Sequence, residues 1–203
     1  QDVPGLIDAM GRERFLSRLT EAFEKSAPTR FNAAGERFAD FPINQGNQPT
    51  MHVSWLFNWA GAPWLSQQWT RAILGAYYSH GPADAYLGDE DQGQMSSWFV
   101  MSSLGLFQTD GGCRVNPIYE LGSPLYPKVV IHLSKEHYGG KTFTFIARNA
   151  SKENRFIQSA RLNGKPLNRW WIRQKDILQG GRLELELGPM PNQEWAKGCP
   201  LPD

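Results

Sequence analysis

The stretch Gly88-Asp89-Glu90-Asp91-Gln92-Gly93-Gln94-Met95-Ser96 places three consecutive carboxylates between two glycines and leads directly into an apolar segment, Trp98 to Phe107. Side chains two positions apart in an extended chain point to the same side, so Asp89 and Asp91 are predicted to converge while Glu90 points away. Two convergent carboxylates at the start of a helix suit either general-base chemistry on water or calcium coordination. The simpler interpretation is that all three acids only cap and charge the helix N-terminus.

A second polar stretch, Gln45-Gly46-Asn47-Gln48-Pro49-Thr50-Met51-His52, precedes the acidic one. Its amide and main-chain oxygens are hard ligands that suit calcium or sugar hydroxyls. The alternative is an ordinary turn before a helix, with Thr50 as the cap and His52 as a structural histidine. Trp64, in a Gly-Ala-Pro-Trp break, is predicted either as a platform for a sugar ring or as part of the core.

The spacing of apolar residues predicts a helical first part, residues 1–110. Four helices are expected, at 5–25 with a possible break at Gly11, and at 53–59, 66–78 and 95–107. Residues 26–50 are predicted to form a long irregular connection that is ordered by its apolar residues, namely Phe31, Phe38, Phe41 and Ile43.

Residues 111–203 have the alternating pattern of strands. Strands are expected at 129–133, 142–146, 156–162 and 183–187, and Asn163-Gly164 is a strong hairpin signal. We therefore predict a small antiparallel β region with one dry face and one solvated face, and an α+β fold class overall.

The composition narrows the range of partners. The 203 residues carry 21 basic and 20 acidic side chains, for a net charge of +1, so no field favours nucleic acid or an anionic membrane. No apolar run is long enough to span a bilayer. Aromatic residues make up 12% of the chain, which suits either core packing or sugar binding. Cys113 and Cys199 lack metal-site spacing, and the sequence leaves open whether they pair or stay free.

Three stretches in combination resemble family 92 of the glycoside hydrolases: Gly46 to His52, Pro63-Trp64, and Gly88 to Trp98. Downstream similarity continues through Gly122-Ser123-Pro124-Leu125, Ile157 to Ala160, Leu162 to Leu167 and Gly188 to Asn192. The resemblance covers nearly the whole chain and corresponds to the C-terminal portion of such enzymes. It implies helical hairpins that form the second half of an (α/α)6 barrel, followed by the small antiparallel β region. Because the sequence begins without Met, it is expected to be cut from a longer chain.

The resemblance also implies a function. Family 92 enzymes are calcium-dependent, inverting exo-α-mannosidases, so the expected substrate is a mannose-containing glycan. Asp89 and Asp91 match the aspartates at the catalytic base site, and Asn47 and Gln48 match the loop that helps hold calcium. Gln48, Thr50, Met51, His52 and Trp64 are expected to contact the substrate. The general acid is expected from the missing N-terminal part of the same enzyme, which would be secreted or periplasmic.

Two positions depart from the family's usual pattern. The family loop usually reads Gly-Asn-Glu-Pro followed by Ser-His-His, whereas Gln48 here replaces Glu and Met51 replaces the first His. Loss of a carboxylate weakens the attraction for calcium, and both changes alter what fits beyond the first sugar. Three alternatives therefore stay open: a hydrolase of mannose-1-phospho-linked glycans, a calcium-dependent mannose-binding protein that has lost catalysis, and a purely structural α+β domain.

Overall fold

A computed structural model of the chain describes residues 2–33, 37 and 40–203. Phe38, one of the aromatic residues expected to order the long connection, lies outside the described residues. The helices are α1 Val3–Met10, α2 Arg12–Ser26, α3 Leu56–Trp59, α4 Pro63–Ala76, α5 Gln94–Leu104, α6 Lys135–Tyr138 and α7 Gln174–Leu178, with short 3₁₀ turns at Ala27–Thr29, Gln48–Thr50 and Val53–Trp55.

The predicted break at Gly11 is confirmed and separates α1 from α2. Gly11 has φ 80° and ψ 131°, outside the helical region and readily reached by glycine. The Asp2 carboxylate caps α1 by accepting from the Gly5 N–H at 2.9 Å. The chain can therefore turn between two helices while each keeps its own apolar face toward the core.

The predicted helix at 95–107 ends earlier than expected. Helix α5 stops at Leu104 because Gly105 is left-handed, with φ 74°, and Leu106–Phe107 then form a strand instead. A Cβ on Gly105 would lie 2.9 Å from the Gly122 carbonyl oxygen, so the close approach of these two chain segments also requires glycine there. Apolar spacing alone does not distinguish the last helical turn from a short buried strand.

The β part contains two sheets. A three-stranded antiparallel sheet has the order β1-β2-β7, and a five-stranded sheet has the order β3-β4-β8-β5-β6. Their ranges are β1 Leu106–Phe107, β2 Ile118–Leu121, β3 Lys128–His132, β4 Thr142–Arg148, β5 Phe156–Leu162, β6 Lys165–Pro166, β7 Trp171–Arg173 and β8 Gly181–Gly188.

The prediction of a purely antiparallel β region is wrong at one pair of strands. β8 runs parallel to β4, with Thr144 opposite Arg182, and antiparallel to β5, with Ala160 opposite Leu185. The alternation in β8 correctly predicts its faces, since Leu183, Leu185 and Leu187 are all buried. Alternation of apolar residues does not predict which strand pairs with which. Long-range packing decides the pairing.

One hydrophobic core crosses from the helical part into the β part. It combines Ile7 of α1, Phe15 of α2 and Leu56 of α3 with the buried leucines of β8. A second core is mainly helical and rich in aromatic residues, with Phe23 stacked on Trp69 at a centroid distance of 5.1 Å. The predicted α+β class is confirmed, and the second core supports the loops described next.

No helix within residues 2–33 and 40–203 combines the length and apolar character needed to cross a membrane. Cys113 is exposed, Cys199 is half-buried, and both are free thiols.

Candidate active site

The two polar stretches meet through a pair of glycines. We call Gln45–His52 the amide loop and Gly88–Ser96 the acidic loop. A Cβ on Gly88 would lie 3.0 Å from the Cα of Gly46, which is closer than real side chains normally approach. Neither glycine has a positive φ, so it is space and not backbone conformation that requires them. The loops therefore lie in direct contact at this point.

Both loops are fixed to the same aromatic pair, Tyr78 and Trp98. The Tyr78 hydroxyl accepts from Gln45 Nε2 at 3.4 Å and donates to the Met95 carbonyl at 3.2 Å. Its ring stacks on Trp98 at 5.6 Å, and Trp98 Nε1 donates to the Met51 carbonyl at 2.7 Å. Burial raises the pKa of Tyr78 to about 12, so the hydroxyl remains a neutral donor at physiological pH. These contacts hold the amide loop against the base of helix α5.

Within the acidic loop, the middle acid has a different role from its neighbours. The Glu90 carboxylate accepts from the backbone N–H groups of Gly93 and Ser96, and these hydrogen bonds lower its pKa. Glu90 thus caps α5, as the simpler interpretation of the stretch predicts. The side chains of Asp89 and Asp91 are exposed, and the contact of Asp91 to the helix start is made by its backbone carbonyl, which accepts from the Gln94 N–H at 3.3 Å. Glu90 therefore satisfies the helix end and leaves the two flanking aspartates available.

The backbone after Glu90 is held in a rare conformation. Asp91 and Gln92 have φ values of 52° and 60°, and Gly93 follows with φ 93°. Left-handed backbone costs about 1 kcal/mol or more for residues with a side chain, and such residues cluster at functional sites. Here the three left-handed residues lead directly into helix α5, which begins at Gln94.

The amide loop contributes both exposed and buried side chains. Asn47 is exposed, and the 3₁₀ turn Gln48–Thr50 follows it, with the Thr50 N–H donating to the Asn47 carbonyl at 2.9 Å. In the alternative interpretation of this stretch Thr50 caps the next helix, but the cap position of the following 3₁₀ turn is His52, which makes no side-chain hydrogen bond there. Met51 is only 3% exposed and packs in the aromatic core. Sequence alone does not separate core from surface within such a turn.

Two of the predicted substrate contacts are half-buried. Trp64 is half-buried in the first turn of α4 and packs against the aromatic core. His52 is half-buried and lines a cavity of about 430 Å³ together with Trp59, Asp110 and Arg114. Neither Asp89 nor Asp91 lines that cavity, and burial lowers the pKa of His52.

The oxygen atoms of the two loops are of the type that binds calcium, but there are fewer of them than the ion requires. Gln45 is fully buried, and its Oε1 has no hydrogen-bond partner, which leaves a free neutral oxygen at the base of the amide loop. Amide oxygens and aspartate carboxylates are calcium's usual ligands, but the ion takes about 6–8 of them. Within residues 2–33, 37 and 40–203, no group of three or more acidic, His or Cys side chains is arranged to hold a metal. The oxygens of the two loops are therefore of a kind that calcium takes, but the described residues do not assemble a complete metal site.

Sequence reasoning missed one buried acid, Glu120 on β2. Its side chain is fully buried and accepts from Asn58 Nδ2 at 2.9 Å, Trp59 Nε1 at 3.0 Å and the Thr109 N–H at 3.3 Å. Burial raises its pKa to about 7, against the opposing effect of these hydrogen bonds. The available signal was a lone Glu between apolar neighbours in Ile118-Tyr119-Glu120-Leu121, but β2 is too short for its pattern to predict a strand.

Comparison with known proteins identifies the class. Residues 1–189 match the sequence model described as the glycosyl hydrolase family 92 catalytic domain. The chain therefore belongs to glycosyl hydrolase family 92, and the resemblance seen in the sequence is confirmed. Among curated proteins it is similar to one described as an uncharacterized secreted glycosidase of Arthroderma benhamiae (strain ATCC MYA-4681 / CBS 112371), with 32% identity over 200 residues.

Solved structures give the same result. The chain is similar to a family 92 α-mannosidase from Bacteroides thetaiotaomicron, with a TM-score of 0.80 and 31% identity. A structure of that enzyme with mannoimidazole gives a TM-score of 0.82 and 29% identity. An inverting family 92 mannosidase from Bacteroides thetaiotaomicron VPI-5482 gives a TM-score of 0.76 and 31% identity.

The chain spans only about a quarter of these relatives. Each match covers 97% of this chain, but 23% of the Arthroderma protein, 24% and 25% of the first mannosidase in its two structures, and 27% of the second. The matched region is a C-terminal portion of the relatives.

Proposed function

We propose that this chain is the part of a family 92 α-mannosidase that supplies the general base and part of a calcium site. The observation that carries the proposal is the contact between the amide loop and the acidic loop at Gly46 and Gly88. It brings the amide loop against the acidic loop, in which the side chains of Asp89 and Asp91 are exposed. Membership of the family and the mannosidase relatives support mannose as the substrate sugar.

In this proposal one of the two aspartates removes a proton from the attacking water, and the other orients that water or a sugar hydroxyl. Inversion needs the base and the acid to stand roughly 6.5–9.5 Å apart so that a water fits between the base and the sugar. The acid would come from the part of the enzyme that this chain does not span. Both aspartates are exposed in the described part of the chain. This exposure suits a general base whose active site is completed by another part of the enzyme.

Calcium, when bound, would supply charge and a template for vicinal mannose hydroxyls. Asn47 and Gln48 would hold it through their oxygens, and the free Gln45 Oε1 lies at the base of the same loop. Gln48, Thr50, Met51, His52 and Trp64 belong to the proposed sugar-binding region. Met51 would act there through packing, because its side chain is buried.

The proposal extends to the architecture and the setting of the enzyme. Helices α1 to α5, in residues 1–110, would form the second half of an (α/α)6 barrel, with residues 111–203 packed against it. The missing N-terminal part of the enzyme would complete the barrel and the active site. A secreted or periplasmic location is proposed because a curated relative is described as secreted.

The test is an Asp89→Asn and an Asp91→Asn variant of the full-length enzyme, with release of mannose from an α-mannoside and mannose binding measured separately. Loss of the base should lower kcat by about 10²–10⁴-fold while binding survives. Asp8→Asn is the matched control, because Asp8 is exposed on α1 and outside both loops. Turnover that is unchanged in both loop variants would contradict the proposal.

Two other functions are favoured by one specific observation, namely that Gln48 and Met51 stand where the family usually has Glu and His. A phosphate-linked mannose needs no general acid, so such an enzyme should cleave a mannose-1-phosphodiester far faster than an α-1,2-mannobioside. A mannose-binding protein should bind the sugar with calcium but hydrolyse neither substrate. A panel of both substrates with a binding measurement separates the three functions.

A further inference from the structure

The Tyr77 side chain lies where the two loops cross. It is 0% exposed, and a Cβ on either Gly46 or Gly88 would come within 2.8 Å of its hydroxyl. The hydroxyl therefore lies beside both glycines at the point where the backbones approach each other. A bulkier or smaller group at this position would change how closely the loops can approach.

The buried hydroxyl of Tyr77 makes no hydrogen bond of normal geometry. The Leu87 backbone is near enough to lower the pKa of Tyr77, but burial dominates and raises that pKa far above the usual range. An unpaired buried hydroxyl costs stability, so a phenylalanine would suit packing at this position equally well or better. A costly polar group kept at a contact between two functional loops calls for an explanation beyond packing.

The contacts of Tyr77 place it beside the acidic loop. Its ring meets Tyr78 edge-on at 5.0 Å, and Tyr78 in turn bonds to both loops. The charge of Asp89 is close enough to contribute to the raised pKa of Tyr77. Because Asp89 directly follows Gly88, any movement of Gly88 against Tyr77 moves the aspartate by a comparable distance.

We propose that Tyr77 is a positioning residue whose hydroxyl acts as a spacer between Gly46 and Gly88 and so sets the distance from the amide loop to Asp89. This rests on the proposed function, because the distance matters to the reaction only if these loops form the active site. A misplacement of about 1 Å can cost a hundredfold in rate, so a single oxygen atom is enough to matter.

The first test is Tyr77→Phe in the full-length enzyme. We expect kcat to fall roughly tenfold to a hundredfold with little change in KM, while the melting temperature stays the same or rises. A tyrosine that only packs would leave kcat unchanged in this variant, because phenylalanine keeps the ring and loses only an unpaired hydroxyl. Tyr119→Phe removes the same atom from a half-buried tyrosine outside both loops and should leave kcat and melting temperature unchanged. An unchanged kcat in Tyr77→Phe would overturn the proposal.

The second test uses the spacing of the two glycines. In Gly46→Ala the nearest atom is the Tyr77 hydroxyl at 2.8 Å and the next is the Leu87 carbonyl at 3.3 Å. In Gly88→Ala the hydroxyl is again at 2.8 Å, but the Gly46 Cα follows at 3.0 Å. Adding Tyr77→Phe should therefore restore the melting temperature of Gly46→Ala more than that of Gly88→Ala. Equal restoration, or none, would contradict a spacer role.

The two readouts separate this proposal from the proposed function. If the wild-type enzyme hydrolyses no α-mannoside, the proposed function fails, while the melting temperatures of the glycine variants still report whether Tyr77 spaces the loops. If the enzyme hydrolyses α-mannosides and Asp89→Asn is inactive but Tyr77→Phe is fully active, only the positioning role fails.

Discussion

Glu120 and the acidic loop show two opposite ways of holding a carboxyl group in one molecule. Glu120 is fully buried and accepts from Asn58, Trp59 and Thr109. Asp89 and Asp91 are exposed, and Glu90 between them caps α5. A carboxylate whose oxygens are all engaged has none left for a ligand, whereas the exposed aspartates keep theirs free. The difference teaches that burial and engaged oxygens mark a structural acid here, and that exposed oxygens beside a polar loop mark the candidate catalytic pair.

The largest expected effect on stability comes from removing the buried acid. Glu120→Ala leaves the donors of Asn58, Trp59 and Thr109 unpaired, so we expect a loss of about 3–5 kcal/mol in the free energy of unfolding. Asp89→Ala should change it by less than about 0.5 kcal/mol, because the side chain is exposed. Denaturant unfolding of both variants checks this, and equal losses at the two positions would break the comparison.

We expect the titration of Glu120 to cause a pH dependence of the folding stability. Its pKa of about 7 in the folded state exceeds the ordinary value of 4.5 because the side chain is buried. The folded state therefore holds a proton that the unfolded state has released, and stability is lost as pH rises from about 4.5 to 7. We expect the wild type to lose about 3 kcal/mol over that window relative to Glu120→Gln, which does not titrate there. Parallel pH profiles for the two proteins would show that another group is responsible.

Calcium affinity should respond to the amide loop and not to Glu120. Gln48→Glu places a carboxylate where the family usually has one. The added negative charge near the cation should tighten calcium binding by about tenfold, or about 1.4 kcal/mol. Asn47→Ala should weaken binding by a similar factor. Calorimetry on the full-length enzyme measures both, with Asp8→Asn as a control that changes the net charge by one unit, in the opposite sense, at an exposed position outside both loops. Affinities that do not move would place the ion elsewhere.

The smallest effect on turnover is expected at the middle acid. Glu90→Gln keeps an acceptor for the N–H groups of Gly93 and Ser96 but loses the charge that favours a helix N-terminus. We expect kcat to fall by less than about threefold, as for a cap that acts only through the loop backbone. A drop as large as that of Asp91→Asn would mean that the acids are not divided into a cap and a catalytic pair.

Most of the elements could be predicted because their signals are local. The break at Gly11, the strand at Phe156–Leu162 and the faces of β8 follow from glycine conformation and apolar alternation. The polar loops were found from composition, and the family was found from motifs within them. The division of work within the acidic triplet was only half anticipated, since the sequence allowed all three acids to cap the helix.

Other features depend on residues that are distant in sequence. Three examples are the parallel pairing of β4 with β8, the early end of α5 at Gly105 and the burial of Glu120. Each depends on contacts with distant residues, which a local sequence pattern does not predict. The cavity that His52 shares with Asp110 and Arg114 likewise brings together residues far apart in sequence. A residue in a turn can face either side, and only packing selects the side.

The sequence by itself determined where the longer helices and strands form, which loops are polar and which family the chain belongs to, because periodicity and motifs are properties of neighbouring residues. Only the tertiary structure decided that Gly46 lies against Gly88 over the Tyr77 hydroxyl, and that Glu120 is buried while Asp89 is exposed. The physical reason is that spacing between loops and access to solvent are set by atoms that approach from distant parts of the chain.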